Sequence, residues 1–91
     1  MKQIHIFVTG FVQGVGFRVF VKKKAQRLNI TGWVKNLSDR RVEAVLQGES
    51  EDIEQLIRTL KRGPFLSDVK HIVAEEEETN EEFEEFGIVK G

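Results

Sequence analysis

Ninety-one residues, 40% hydrophobic and 32% charged, suit one modest globular core and are too few for two. Zero cysteines exclude disulfides, thiolate metal sites and a cysteine nucleophile, and no apolar run approaches the roughly 20 residues of a membrane-spanning helix. The net charge of −1 hides a division: residues 1–41 carry nine Lys/Arg against one Asp, and the remainder five against fourteen Asp/Glu. A basic amino-terminal half suits a small anionic ligand and can also attract nucleic acid, whereas EEEETNEEFEEF, read as a solvated charge run, would repel a phosphate backbone unless it folds away from the binding face.

In chain order, MKQIHIFVTG lacks the apolar stretch of a signal peptide and alternates as a strand, with Ile4, Ile6 and Val8 on one face and His5, Phe7 and Thr9 on the other. From Phe17 the period becomes helical, and Phe17, Phe20, Val21, Ala25 and Leu28 share a face. Asn29 and Gly32 mark the exit from the helix, and TGWVKNL reads as a second strand. A turn near residues 38–40 then leads into a third, RVEAVLQG, where Val42, Ala44 and Leu46 alternate with Glu43, Val45 and Gln47. Ser50 is the expected N-cap of a second helix with Glu51 and Asp52 in its first turn. Ile53, Leu56, Ile57 and Leu60 form its stripe, and Gly63-Pro64 stops it. A fourth strand is expected around residues 68–76, and FEEFGIVK can add a short fifth.

This order predicts an α+β, ferredoxin-like βαββαβ sandwich over residues 1–91 as a single domain, with an antiparallel sheet and both helices on one face. The fold hosts many activities, so function has to be argued from a site.

The stretch GFVQGVGFR places three of the eight glycines where the first strand gives way to the first helix. Two familiar glycine motifs fail: Val19 stands where a dinucleotide fingerprint has its third glycine, and no GK[ST] completes a nucleotide P-loop. The physics those motifs share survives. Glycines let successive backbone N–H groups turn inward, the helix adds its positive end, and Arg18 offers a forked guanidinium.

GFVQGVGFR, followed by GWVKNLSDRRVEAVLQG, resembles the paired signature of the acylphosphatase family, and the element order and the ending FGIVK extend the similarity over nearly the whole chain. The resemblance implies hydrolysis of the carboxyl–phosphate anhydride of small acyl phosphates to carboxylate and inorganic phosphate. It places phosphate binding on the loop Gln13, Gly14, Val15, Gly16, Phe17 and Arg18, and water positioning on Asn36, so that Arg18 and Asn36 are the catalytic pair. It further implies no cofactor and no metal. With the composition it leads us to expect a cytoplasmic monomer whose partners are a small acyl phosphate substrate and inorganic phosphate, with no nucleic acid and no membrane. The chemistry is consistent with that assignment. A carboxylate leaves without a strong general acid, and phosphoryl transfer depends mainly on positioning and on neutralising the equatorial oxygens.

The sequence departs from the family pattern NLPDGRVE at Ser38 and Arg40, where a lost glycine costs roughly a kcal/mol if the turn needs positive φ. Other readings stand beside the enzyme. One is an RNA-binding sheet using Phe7 and Phe11, although the RNP1 pattern is absent. The stronger is a phosphate-sensing or protein-interaction domain on an inactive scaffold. His5 and His71 are expected at ordinary strand positions, Trp33 and the phenylalanines in the core, and Asp39 and Glu43 at the surface.

Overall fold

The computed structural model describes residues 1–90. The chain runs β1 (Lys2–Phe11), α1 (Phe17–Arg27), β2 (Thr31–Asn36), β3 (Val42–Gly48), α2 (Ser50–Arg62), β4 (Asp68–Glu77) and β5 (Phe86–Val89). The sheet order is β4-β1-β3-β2-β5. The first four strands pair antiparallel throughout, as the ferredoxin-like pattern requires, whereas β5 joins the far edge parallel to β2. To reach that edge from β4 the chain passes Gln47. This side chain is buried but satisfied: its amide donates to Gln3 and to the Glu81 carbonyl, and its oxygen accepts from Phe83 N at 3.0 Å.

Alternation explains which sheet face is covered. Ile6 and Val8 of β1 stand opposite Ala44 and Val42 of β3, and all four are inaccessible to solvent. Val34 extends the layer onto β2. Phe17, Val21 and Ala25 of α1, with Ile53, Leu56 and Leu60 of α2, pack into the same cluster, so both helices lie on one face. Burying each large apolar side chain contributes about 1.5–3 kcal/mol. Phe17, 1% exposed, therefore anchors the point where the glycine loop becomes helix.

The start of α2 differs from expectation. Ser50 is the first helical residue and Glu49 is the cap, with extended backbone and no side-chain capping bond. With Glu51 and Asp52 in the first turn, negative charge on the helix compensates its positive end instead.

The opposite sheet face carries a polar and aromatic layer. His5 sits between two carboxylates, 2.6 Å from Glu43 and 3.2 Å from Glu77, and stacks on Phe7 at 4.9 Å. The amide of Gln3, and less strongly His5, hold the Glu77 carboxyl below its ordinary range. Phe17 and Phe86 are core residues as expected, but Trp33 is not. It lies half-buried on this outer face, with Lys35 5.6 Å from its ring centre and His5 at its edge. Phe11 and Phe65 are exposed. The side chain of Glu43, 13% exposed between His5 and Lys35, is more enclosed than a surface position. Alternation identifies two faces on a strand but not which of them the helices cover; the apolar ring of Trp33 favours neither when cations and a histidine line the open side.

Candidate active site

β1 ends in a bulge. Its register with β4 shifts between Thr9 and Gly10, where the backbone takes φ 136. A Cβ on Gly10 would sit 2.1 Å from the Asp68 carbonyl oxygen, so no side chain fits and the strands pass in direct contact. Beyond the bulge the chain leaves the sheet and turns through residues 12–16 into α1.

Two of those residues are left-handed, Gly14 at φ 76 and Gly16 at φ 78. A Cβ at either would meet nothing within 4 Å, so these positions need glycine for backbone direction rather than for space. Gly16 is also the cap of α1 and makes no side-chain capping bond, and no acidic residue follows in the first turn. The first-turn N–H groups, which a helix cannot satisfy internally, thus lack a side-chain acceptor and a compensating charge. The segment meets the requirement for an anion-binding helix start.

A cavity of about 110 Å³ opens there, lined by Gly14, Gly16, Arg18 and Asn36, with Val12, Phe17 and Val19 as apolar walls. It is well below the ~300–1,000 Å³ typical of drug-sized ligand sites, which suits a small anion better than an organic cofactor. Asn36 reaches it from the end of β2, 18 residues beyond Arg18 in sequence, because β2 runs back alongside α1. Its side-chain oxygen Oδ1 is buried and has no hydrogen-bond partner in the protein. Buried acceptors are rarely left unpaired, and Asn36 is among the residues that line the cavity.

Five sequence-predicted residues, Gly14, Gly16, Phe17, Arg18 and Asn36, thus line one space. The side chains of the other two go elsewhere. Val15 packs against the core. The Gln13 amide donates to the carbonyls of Leu37 at 2.8 Å and Arg41 at 2.9 Å. A role for either in holding phosphate therefore falls to its main-chain N–H. The apolar wall at Val19 and the two carbonyls held by Gln13 were not found from sequence, and backbone carbonyls leave no sequence signal to find.

The turn that follows Asn36 is tightly closed. Leu37 N donates to Arg41 O at 2.8 Å and Arg40 N to Leu37 O at 3.2 Å. Arg40 does occupy the left-handed region, at φ 78, so its side chain costs about 1 kcal/mol where glycine would cost none. Asp39 opposes that strain: its carboxylate accepts from Arg41 N at 3.2 Å and Arg41 Nε at 2.7 Å. Those two bonds, the backbone one foremost, hold the Asp39 carboxyl below its ordinary range. Among the described residues, no group of three or more His, Cys, Asp and Glu side chains could hold a metal ion.

The acylphosphatase family model matches residues 4–88. An acylphosphatase of Methylococcus capsulatus is 41% identical over 90 residues, covering 99% of this chain and 98% of its own. The crystal structure of acylphosphatase from Bacillus subtilis superposes with a TM-score of 0.95 at 39% identity, covering 98% of this chain and 99% of that one. The structure of T. kodakarensis HypF contains a similar fold, with a TM-score of 0.89 and 40% identity, matched to all of this chain but only 12% of HypF. With the family model spanning both glycine loop and Asn36, and relatives matched end to end, the chain belongs to the acylphosphatase family.

Proposed function

We propose that this chain, acting as one domain over residues 1–91, hydrolyses small acyl phosphates by metal-free attack of a water oriented by Asn36 on a phosphoryl group held by residues 13–18 and Arg18. The enzyme class is that of its relatives; the division of labour within the site is our reading. Acyl phosphate is the substrate and inorganic phosphate a product. No organic cofactor, nucleic acid or membrane takes part, and the enzyme works as a monomer in the cytoplasm. No helix among the described residues is long and apolar enough to cross a membrane.

The observation that carries the mechanism is the buried, unpartnered Oδ1 of Asn36 on the same cavity as Arg18. The amide oxygen accepts one O–H of the water and leaves a lone pair of its oxygen free to face phosphorus. The loop N–H groups, the uncompensated start of α1 and the Arg18 guanidinium neutralise the phosphoryl oxygens as charge redistributes. The new bond joins water oxygen to phosphorus, the bond to the carboxylate oxygen breaks, and the water proton passes to a phosphate oxygen. Asn36 is no base near neutral pH, so the substrate itself takes that proton. The carboxylate leaving group is stable enough to depart unprotonated.

Single-turnover hydrolysis of benzoyl phosphate, measured beside phosphate inhibition, tests the assignment. Asn36→Ala should lower the rate by about 30- to 1,000-fold, the equivalent of roughly 2–4 kcal/mol, while leaving phosphate inhibition within about threefold of the parent. Parent-like hydrolysis by a folded Asn36→Ala variant would remove the oriented water from the mechanism. In the same assay the parent should keep its rate in chelator; activity lost there and restored only by a divalent metal would overturn the metal-free step.

A further inference from the structure

The unpartnered Oδ1 of Asn36 raises a problem of aim. No protein group holds that oxygen in place, so its direction depends on the backbone that carries it. On the strand side the backbone is fixed by the β2–β3 ladder, where Asn36 pairs with Val42. On the other side lies the turn with the strained Arg40. What ties that turn to the anion loop is Gln13.

We propose that Gln13 is a positioning residue, whose side-chain amide straps the anion loop to the β2–β3 turn and so sets where Asn36 stands relative to Arg18. The inference rests on the water-orienting role of Asn36 given above. The two side-chain N–H donors of Gln13 are divided between carbonyls at the two ends of the turn, Leu37 at 2.8 Å and Arg41 at 2.9 Å. Leu37 directly follows Asn36 in the chain, and Gln13 directly precedes the first left-handed glycine of the loop. One planar amide therefore joins the two halves of the site, reaching 24 residues along the chain to Leu37 and 28 to Arg41.

The chemistry of the acceptors separates this role from one of holding the fold together. Both carbonyls already accept a backbone N–H, Arg41 O from Leu37 and Leu37 O from Arg40. Gln13 occupies a second lone pair on each, so its removal orphans no buried carbonyl. The turn keeps its own closure, and what is lost is its link to the loop. Small misplacements of a reacting group cost far more in rate than in stability.

The test is a double-mutant cycle on single-turnover hydrolysis of benzoyl phosphate, with phosphate inhibition and thermal unfolding measured on each variant. Gln13→Met keeps the length and loses both donors; Gln13→Asn, which keeps the amide on a shorter stem, replaces it if the methionine variant does not fold. In the parent background the substitution should slow hydrolysis about tenfold with phosphate inhibition within about twofold. In the Asn36→Ala background it should slow hydrolysis by less than about twofold, because nothing remains to be aimed. An additive loss in both backgrounds, a parent-like rate for the single Gln13 variant, or phosphate inhibition that weakens in step with the rate would each overturn the strap. Failure of the underlying mechanism is separately visible: Asn36→Ala alone would then hydrolyse at the parent rate.

Discussion

The two helices of this protein begin in opposite ways. α1 starts on Gly16, left-handed and without a side chain, and its first turn holds no acid and one arginine. α2 starts on Glu49 and carries Glu51 and Asp52 in its first turn, so that the hollow at its end is lined by Glu49, Ser50, Glu51 and Asp52. Neither start has a side-chain capping bond. Every α-helix offers the same excess of N–H donors and the same positive end. The neighbouring residues decide whether that field is left free for a ligand or cancelled within the protein. At α2 the chain supplies its own anions and the helix start is structural. At α1 it withholds them, adds Arg18, and brings Asn36 in from another strand.

Removing the feature that most separates the two ends should have the largest effect. Arg18→Ala deletes the cation of the α1 site and, on the proposed mechanism, in which that charge acts on bound and reacting phosphate alike, should lower hydrolysis about 10³-fold while also weakening phosphate inhibition. Arg18→Lys restores the charge without the planar fork and should recover only part of the rate. Steady-state rates with phosphate as inhibitor read both. If Arg18→Ala retained normal phosphate inhibition, the guanidinium would not be part of the cradle.

Making α1 resemble α2 is the next step. Val19 lines the cavity and is 49% exposed, so an acid there would enter the first turn without disturbing the core. Val19→Glu should weaken phosphate inhibition about 5- to 30-fold, for a partly solvated charge placed against the anion. The same change should keep thermal stability or raise it by up to about 1 kcal/mol, because it satisfies the helix end that the parent leaves open. Opposite signs for binding and stability are the mark of a site maintained at the expense of the helix. A Val19→Glu variant that binds phosphate normally would show that the helix start contributes nothing to the anion.

Much of this contrast is legible in the sequence, for identifiable reasons. Helical spacing from Phe17 and from Ile53, and the alternation of Ile4, Ile6 and Val8 in β1 and of Val42, Ala44 and Leu46 in β3, place the elements, although β3 also buries Val45 and Gln47 on its other face. Gly14, Gly16 and Arg18 fall within five residues of the chain, so their joint location needs no tertiary knowledge, and the positive φ on which the cost of losing a glycine at position 40 depends is found there. What escapes are features that depend on how distant segments meet. The parallel placement of β5 beside β2 is decided by where the chain goes after β4, which no local period encodes. Gln13 belongs to the predicted loop, and a hydrogen-bonding role there is legible, but its acceptors, the carbonyls of Leu37 and Arg41, lie in a distant turn. Ser50 has the right chemistry for a cap, yet the helix begins one residue earlier than that role allows, and the acids after it perform the electrostatic part of the task.

The smallest expected effect comes from undoing the compensation at α2. Glu51 is exposed, in the first turn, and belongs to no part of the cavity that holds Arg18 and Asn36. Glu51→Gln keeps the shape and most of the helix propensity but removes one of the two negative charges there. It should cost about 0.3–1 kcal/mol, a fall of roughly 1–8 °C in midpoint for a chain of this size. High salt should shrink the difference, because an exposed charge interacting with a helix end is screened over about 3 Å at 1 M. Hydrolysis and phosphate inhibition should stay at parent values at temperatures where the variant is folded. Thermal unfolding at low and at high salt, run beside the hydrolysis assay, separates the outcomes. A stability loss unaffected by salt would mean that Glu51 contributes through packing rather than through its charge. A weakening of phosphate inhibition on the scale of Val19→Glu would mean that the second helix start also acts on the anion, and the division between a free and a cancelled helix end would fail. Reduced stability at low salt with intact catalysis is the combination that this division requires, since the field of α2 is then balanced within the protein and only that of α1 is left for the anion.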